Sequence, residues 1–253
     1  MKKSILLLTV SSLVVLLWAG TITKTFTFNQ SELRFQKVSG YDLVTIPNCV
    51  NNYEVGNPLL PIALYTVLIP ANATVTKIEI TNKQSIEIPG EYLIYPVQPG
   101  IPLNQTVPVA FYGPNPLVYA SEEVYPKEII SYSPTGSKCG YRLCDFMLFP
   151  IQYRPKFKKL LLNTKITVKI HYVEGVVAPP QLTTKQIELA KRELRSLVIN
   201  PEDLTAFAPP TRMTLQGDLE YVIITSDAFV SNLEPLANWR TQMGLKAEVK
   251  TTT

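Results

Sequence analysis

The stretch Lys165-Ile166-Thr167-Val168-Lys169-Ile170 alternates charged or hydroxyl side chains with β-branched apolar ones. A period of two residues is typical of a strand that turns one face to water and the other to a core. The stretch Val75-Thr76-Lys77-Ile78-Glu79-Ile80 is similar, and further strand-like runs recur between Thr21 and Val177, separated by Pro, Gly and Asn. The sequence therefore predicts a mainly β domain over residues 21–177, built as an antiparallel β-sandwich or jelly roll.

The composition is that of a folded globular protein. The chain has 253 residues, of which 46% are hydrophobic and 17% charged, and its net charge is +4 at pH 7. This length suits roughly one to two domains, and the apolar content is too high for a disordered chain. Basic residues are not gathered into the clusters that nucleic-acid binding requires, so we expect no nucleic-acid partner.

Residues 1–20 have the pattern of a secretion signal peptide. Met1-Lys2-Lys3 is a short basic start, and the apolar run that follows ends at Ala19-Gly20. The run is shorter than the roughly 20 residues of a transmembrane helix. We therefore expect a secreted or cell-surface protein that contacts the membrane only through this leader during export. Leu17 and Trp18 are poor residues near a cleavage site, so an uncleaved anchor is the alternative.

A change of composition marks a helical linker over residues 178–217. Two pairs, Pro179-Pro180 and Pro209-Pro210, enclose a segment whose apolar residues recur at helical spacing. Thr183 or Thr184 can cap the start of this helix. An amphipathic helix between two breaks predicts a linker that packs on another surface. The apolar stripe consists of Ile187, Ala190, Leu194, Leu197 and Val198.

Residues 218–253 have the pattern of a second domain that has just begun. Tyr221-Val222-Ile223-Ile224-Thr225 is apolar without alternation, as in a parallel strand buried on both faces. A helix follows, ends at Gly244 and leads to another strand over residues 245–250. One β-α-β unit cannot cover both faces of its sheet, so we expect an incomplete α/β domain. The helix is predicted to bury Phe229, Leu233, Leu236, Trp239 and Met243.

Few residues in the chain are able to carry chemistry. Cys49, Cys139 and Cys144 are too few for a disulfide scaffold and lack the spacing of a zinc site. Cys139 and Cys144 could bridge a turn in an oxidising compartment, and structural free thiols are the alternative. His171, the one histidine, lies in a predicted strand and is expected to be an ordinary strand residue. We expect no metal site and no cofactor in this chain.

Several short motifs, taken in order, resemble a known family. The β-rich part contains Gly56-Asn57-Pro58-Leu59-Leu60-Pro61, then Val67-Leu68-Ile69-Pro70 with Ala73-Thr74-Val75, then Pro150-Ile151-Gln152-Tyr153-Arg154-Pro155. The motifs of the β-rich part are similar to the propeptide of gingipain-type cysteine peptidases. The C-terminal part is similar to the opening strand, helix and second strand of their catalytic domain. Its motifs are Tyr221-Val222-Ile223-Ile224-Thr225, Leu236-Ala237-Asn238-Trp239-Arg240 and Gly244-Leu245-Lys246-Ala247-Glu248-Val249.

The resemblance implies a caspase-like catalytic domain whose cysteine and histidine lie beyond Thr253, so the chain as given is expected to be inactive. It implies that the β-domain keeps the peptidase latent and helps it fold, with the catalytic domain of the same precursor as its intramolecular partner. In gingipain-type zymogens a prodomain loop offers a basic residue to the specificity pocket. The candidates for that residue are Arg142, Lys138 and Lys127.

The resemblance also implies an activating cut between propeptide and peptidase. Arg195 and Arg212 are the candidate processing sites within the linker. Arg212 is favoured because it follows Pro209-Pro210 in the more broken segment, where an extended chain is accessible to a protease.

Two non-enzymatic functions are also consistent with an exported β-domain. A surface or adhesive β-sandwich would share the leader and the strand pattern, but it would leave residues 218–253 unexplained. A carbohydrate-binding module would use aromatic side chains beside the long proline-rich loop between Pro96 and Pro116. The tyrosines that suggest such a module are Tyr92, Tyr95, Tyr112 and Tyr119.

Overall fold

The computed structural model describes residues 19–102, 104, 110–133, 135–213 and 219–252. Most of the predicted leader, residues 1–18, and part of the long proline-rich loop lie outside these ranges. No helix within them is long and apolar enough to cross a membrane. The helices are α1 (Pro116–Tyr119), α2 (Thr184–Leu194) and α3 (Val230–Gln242), with 3-10 turns at Gln30–Glu32, Pro201–Leu204 and Asp227–Phe229. The strands are β1 (Ala19–Thr27), β2 (Arg34–Val38), β3 (Tyr41–Thr45), β4 (Val50–Asn51), β5 (Pro61–Ile69), β6 (Thr74–Ile88), β7 (Ile130–Tyr132), β8 (Gly136–Lys138), β9 (Tyr141–Leu148), β10 (Ile151–Arg154), β11 (Lys159–Val173), β12 (Tyr221–Thr225) and β13 (Ala247–Thr251).

The two longest described strands, β6 and β11, pair in a four-stranded antiparallel sheet whose central strand is β11. β11 pairs with β6 along one edge and with β1 and β10 along the other. The alternating stretch 165–170 is the middle of β11, where Ile166, Val168 and Ile170 are fully buried and the residues between them are not. The strand predicted from the period of two is confirmed.

A second antiparallel sheet, five-stranded among the described residues, has the order β4-β5-β9-β7, and β8 pairs with the same edge of β9 as β7 does. The two sheets share one core. Phe26 of β1 contacts Tyr65 of β5 and Phe146 of β9, with ring centroids 4.1 Å and 5.8 Å apart. The predicted mainly β class with antiparallel sheets is confirmed.

The linker segment packs on the outer face of the five-stranded sheet. Thr183 begins α2 with a capping box. Its side chain accepts from the Gln186 N–H, and the Gln186 side-chain oxygen accepts from the Thr183 N–H. The helix ends at Leu194, which is fully buried. It forms a second core whose buried members are Leu68, Tyr141, Leu143, Ala190, Leu194, Val198 and Leu204.

Asn200 fixes the end of this segment to the edge of β5. Its side-chain oxygen accepts from the Leu68 N–H at 2.8 Å, and its side-chain nitrogen donates to the Leu68 carbonyl at 3.0 Å. The Ile199 N–H donates to the Thr66 carbonyl at 3.0 Å. Residues 199–200 therefore satisfy backbone groups that an open strand edge would leave unpaired.

The C-terminal unit is a parallel pair, β12 and β13, with α3 packed against it. Ala237 is the buried residue of α3. The prediction that this helix buries Phe229, Trp239 and Met243 is wrong, since these side chains are 58%, 48% and 58% exposed. One helix on two strands offers no second layer to cover them. For the same reason β12 is not buried on both faces.

Candidate functional site

The tip of the β8–β9 hairpin carries Lys138. Cys139 and Gly140 form its two-residue turn with φ values of 50° and 81°, and positive φ at both central positions is the requirement of a type I′ turn. The turn packs closely on the linker, because a Cβ at Gly140 would lie 2.7 Å from a methyl carbon of Leu182. The hairpin thus presents Lys138 at a tight, well-supported end of the β-domain.

Lys138 is paired with Glu193 of α2. Its Nζ lies 2.8 Å from Glu193 Oε1, and both side chains are about half exposed. The Cys139 thiol contacts the other carboxylate oxygen at 3.4 Å. The hydrogen bond from Lys138, followed by that from Cys139, lowers the pKa of Glu193, and the same pairing raises the pKa of Lys138. Both groups are therefore charged at neutral pH, and one exposed ion pair holds the Lys138 side chain against α2.

Arg142 is committed to the end of the core between the sheets. Arg142 lies on the same face of β9 as Cys144 and Phe146, the face that is turned towards the core. Its Nε donates to the Ala73 carbonyl at 3.2 Å, and a terminal nitrogen lies 3.5 Å from the Thr74 hydroxyl. The Arg142 guanidinium group is therefore occupied by hydrogen bonds within the β-domain.

Lys127 is exposed on the loop that follows the cis Tyr125-Pro126 bond. The Gln152 amide anchors this loop by donating to the Pro126 carbonyl at 2.8 Å. Within the described residues the Lys127 ammonium has no ion-pair partner, and it lines a hollow of about 440 Å³ that also includes Glu54.

The two candidate processing sites differ in their surroundings. Arg195 lies between the buried residues Leu194 and Val198, and its N–H donates to the Lys191 carbonyl at 3.1 Å. Arg212 directly follows a short parallel bridge between Leu182 and Thr211, and its N–H donates to the Leu182 carbonyl at 2.8 Å. The next residue, Met213, is 85% exposed, whereas residues 214–218 lie outside the described ranges.

His171 is engaged in an ion pair on the outer face of the four-stranded sheet. Its Nε2 lies 2.8 Å from Glu79 Oε1, and Lys77 pairs with the other oxygen of that carboxylate. The hydrogen bond from Lys77, followed by that from His171, lowers the pKa of Glu79 to about 2. The sequence predicts an ordinary strand residue at His171. The ion pair between His171 of β11 and Glu79 of β6 is an ordinary contact on the surface of a sheet.

The three cysteines are free and poorly suited to act as nucleophiles. Burial raises the pKa of Cys49 and of Cys144 to about 11, and burial followed by Glu193 raises that of Cys139. A nucleophilic cysteine needs the opposite shift, because the thiolate is the reactive form. Cys144 faces the core, whereas Cys139 lies at the exposed hairpin turn. Of the two alternatives, a disulfide between them or free thiols, the structure has free thiols. No group of three or more His, Cys, Asp and Glu in the described ranges could hold a metal.

The tyrosines beside the long loop serve mainly as packing residues. The Tyr119 hydroxyl donates to the Ile94 carbonyl at 2.6 Å, and the Tyr92 hydroxyl to the Pro89 carbonyl at 2.7 Å. Tyr112, 52% exposed, is held at the end of the loop by Gln98, whose amide bonds both its N–H and its carbonyl. Residues 103 and 105–109 of this loop lie outside the described ranges.

Sequence reasoning missed a contact between the linker and the C-terminal unit. Lys185, at the start of α2, lies 2.7 Å from Glu220 Oε2 and also donates to the Gly244 carbonyl. Gly244 lies two residues after the last residue of α3, where unpaired carbonyls favour a cation. No local pattern predicts this contact, because Lys185 reads only as part of the charged face of α2.

These features define a class of protein: a β-domain of two antiparallel sheets that is joined through a packed helix to a β-α-β unit. The chain belongs to the Propeptide_C25 family, the propeptides of gingipain-type cysteine peptidases, whose model matches residues 14–204.

Two solved structures are similar to the chain. One is the complex of Porphyromonas gingivalis RgpB pro- and mature domains, with 24% identity and a TM-score of 0.56 over 72% of this chain and 93% of that one. The other concerns the zymogenic latency of gingipain K from Porphyromonas gingivalis, with 22% identity and a TM-score of 0.49 over 60% and 86%. No curated protein sequence matches the chain. The first likeness supports a gingipain prodomain fold for the β-domain.

Proposed function

We propose that this propeptide keeps an exported gingipain-type cysteine peptidase latent by docking on the catalytic domain that follows it. The observation that carries the proposal is the family match, which spans the β-domain and α2 and ends at residue 204, within the linker. In this proposal residues 1–20 are the export leader, residues 21–177 a β-sandwich, residues 178–217 the linker, and residues 218–253 the start of a caspase-like domain.

Lys138 is the basic residue that enters the specificity pocket. A plug has to protrude from its domain, and Lys138 directly precedes the tight turn of an exposed hairpin. A pocket selective for basic side chains needs an acidic group, and Glu193 stands in for that group in the free chain. The exchange is feasible because an ion pair between exposed side chains stabilises a fold only weakly. Arg142 is less suited, since its guanidinium bonds Ala73 and Thr74.

The experiment compares precursors in which this chain continues into its catalytic domain. Hydrolysis of labelled casein is measured before processing. The unmodified precursor is expected to be silent, and Lys138→Ala to release activity. Glu193→Gln is the matched control, because it frees Lys138 without removing it and should leave the precursor latent. An active unmodified precursor contradicts the latency proposal as a whole.

Single substitutions at the other two candidates decide between the basic residues. Lys127→Ala and Arg142→Ala are expected to leave the precursor silent. If Arg142→Ala or Lys127→Ala releases activity and Lys138→Ala does not, the plug is not Lys138.

Activation proceeds by cleavage after Arg212. A protease needs an extended chain, and cutting at Arg195 would require α2 to detach from Leu68, Tyr141 and Leu143. N-terminal sequencing of the processed enzyme is expected to begin at Met213. A mature chain that begins at Ser196 would assign the cut to Arg195 instead.

A further inference from the structure

The outer face of the five-stranded sheet is covered over only part of its length. At one end its side chains, among them Leu68 and Leu143, lie beneath α2 in the second core. At the other end the same face carries Leu64 of β5 opposite Met147 of β9. Leu64 is 59% exposed although it lies in the middle of a strand whose other residues are largely buried. The described residues place no element over this end.

The uncovered end forms a continuous and largely apolar groove, which also exposes the polar side chains of Ser133 and Asp145. One hollow of about 440 Å³ is lined by Leu64 and Met147 of the sheet and by Leu197 and Ile199 of the segment that leaves α2. Met147 also lines the neighbouring hollow of about 440 Å³, where Phe149 continues the apolar surface. We call these five apolar residues the open half-face. Apolar surfaces of this kind on a folded domain typically mark contacts with other proteins.

The position of the C-terminal unit indicates what covers the open half-face. α2 already occupies the adjoining part of the face, and its Lys185 holds Glu220 and the Gly244 carbonyl of the C-terminal unit. That unit is itself uncovered, with Val222 and Ile224 of β12 47% and 70% exposed. The domain that begins with β12 is therefore tethered on the same side of the β-domain as the groove.

We propose that the catalytic domain docks on the open half-face, with Leu64 at the centre of the contact. The inference rests on the proposed function, since it names the surface through which latency is kept. Leu197 lies twelve positions after Lys185, a separation of roughly 18 Å along a helix. A domain of 150 residues is roughly 40 Å across. A catalytic domain anchored at Lys185 is thus large enough to reach the groove beyond the end of α2.

The test is the substitution Leu64→Glu in the precursor that carries the catalytic domain. A charge at the centre of an apolar contact has to be desolvated without a partner, so docking weakens. Casein hydrolysis before processing is expected to rise at least about tenfold, since the undocked fraction rises as docking weakens. Phe157→Glu is the matched control. Phe157 is 52% exposed on the turn between β10 and β11, away from the groove, and the precursor should stay silent.

Thermal unfolding of the isolated chain accompanies both variants, so that a folding defect is distinguished from lost docking. An unmodified precursor that is silent, together with a folded Leu64→Glu precursor that is equally silent, overturns the docking surface but leaves the latency proposal intact. An active unmodified precursor removes both. If sedimentation shows a dimer of the chain that Leu64→Glu dissociates, the groove binds a second copy and the proposal is wrong.

Discussion

The β-domain with the linker segment that packs on it, residues 19–204, and the β-α-β unit, residues 219–252, differ in how completely their apolar residues are covered. The β-domain closes on itself, because two sheets share one core and α2 covers part of an outer face. The β-α-β unit buries Ala237 and leaves Val222 and Ile224 exposed. The number of layers decides the difference, since a sheet needs a second layer on each apolar face.

This contrast separates stability from function in the chain. Closed cores supply the stability of the β-domain, whereas the uncovered surfaces of both regions are where a further domain is expected to bind. Substitutions in each region test whether the two regions are as unequal as their burial indicates.

The largest expected effect is a cavity in the shared core. Leu148 is fully buried, and Leu148→Ala should lower the free energy of unfolding of the β-domain by about 2–5 kcal/mol. Ile224→Ala, the counterpart in the C-terminal unit, removes a side chain that is 70% exposed and should cost less than about 0.5 kcal/mol. Urea unfolding followed by circular dichroism measures both. Equal losses would show that the C-terminal unit is as well packed as the β-domain.

Asn200→Ala tests whether the linker segment is part of the β-domain. The substitution leaves the buried N–H and carbonyl of Leu68 without their partner, at a cost of about 1–3 kcal/mol. Trypsin cleavage at Arg195 should accelerate because the segment loosens. Asp203→Ala is the control, since it removes the contact with the Asn200 amide and keeps the bonds to Leu68. Unchanged urea unfolding in Asn200→Ala would mean that the segment is only loosely attached.

The parts of the fold that depend on local pattern could be predicted from the sequence. Alternation over 165–170 identified a half-buried strand, and the pair Thr183 and Thr184 marked the start of α2, where Thr183 is the capping residue. Both signals lie within a few residues of the feature that they predict. The burial of α3 could not be predicted in this way. Phe229 and Trp239 have the spacing of a buried stripe, but burial depends on a layer that residues 219–252 do not provide.

The candidate site was predicted only as a set of residue types. Charge and position selected Lys138, Arg142 and Lys127, but the sequence did not show which of these side chains is available to enter a pocket. The ranking follows from tertiary contacts: Glu193 lies 55 positions from Lys138, and Ala73 lies 69 positions from Arg142. Contacts between residues so far apart in the sequence leave no periodic or spacing signal.

A smaller effect is expected at the contact between the two regions. Lys185→Met removes the ion pair with Glu220 and the bond to the Gly244 carbonyl, at a cost of up to about 1 kcal/mol for an exposed pair. Amide hydrogen exchange at the end of α3 should rise by up to about fivefold, with unfolding of the β-domain unchanged. Lys191→Met is the control, because its ion pair with Glu188 stays within α2. Equal exchange in both variants would show that Lys185 does not join the regions.

The smallest expected effect is a pH-dependent loss of stability at Glu79, which should appear in the β-domain and not in the β-α-β unit. Lys77 and then His171 lower the pKa of Glu79 from 4.5 to about 2, so its ionised form stabilises the β-domain above pH 4.5 and that stabilisation is lost as the pH falls towards 2. Glu79→Gln should lower the melting temperature slightly at pH 7, and the difference should vanish near pH 2. Glu248→Gln, on β13, should leave the β-domain transition unchanged at every pH. A difference for Glu79→Gln that persists at pH 2 would mean that shape, and not charge, makes Glu79 stabilising.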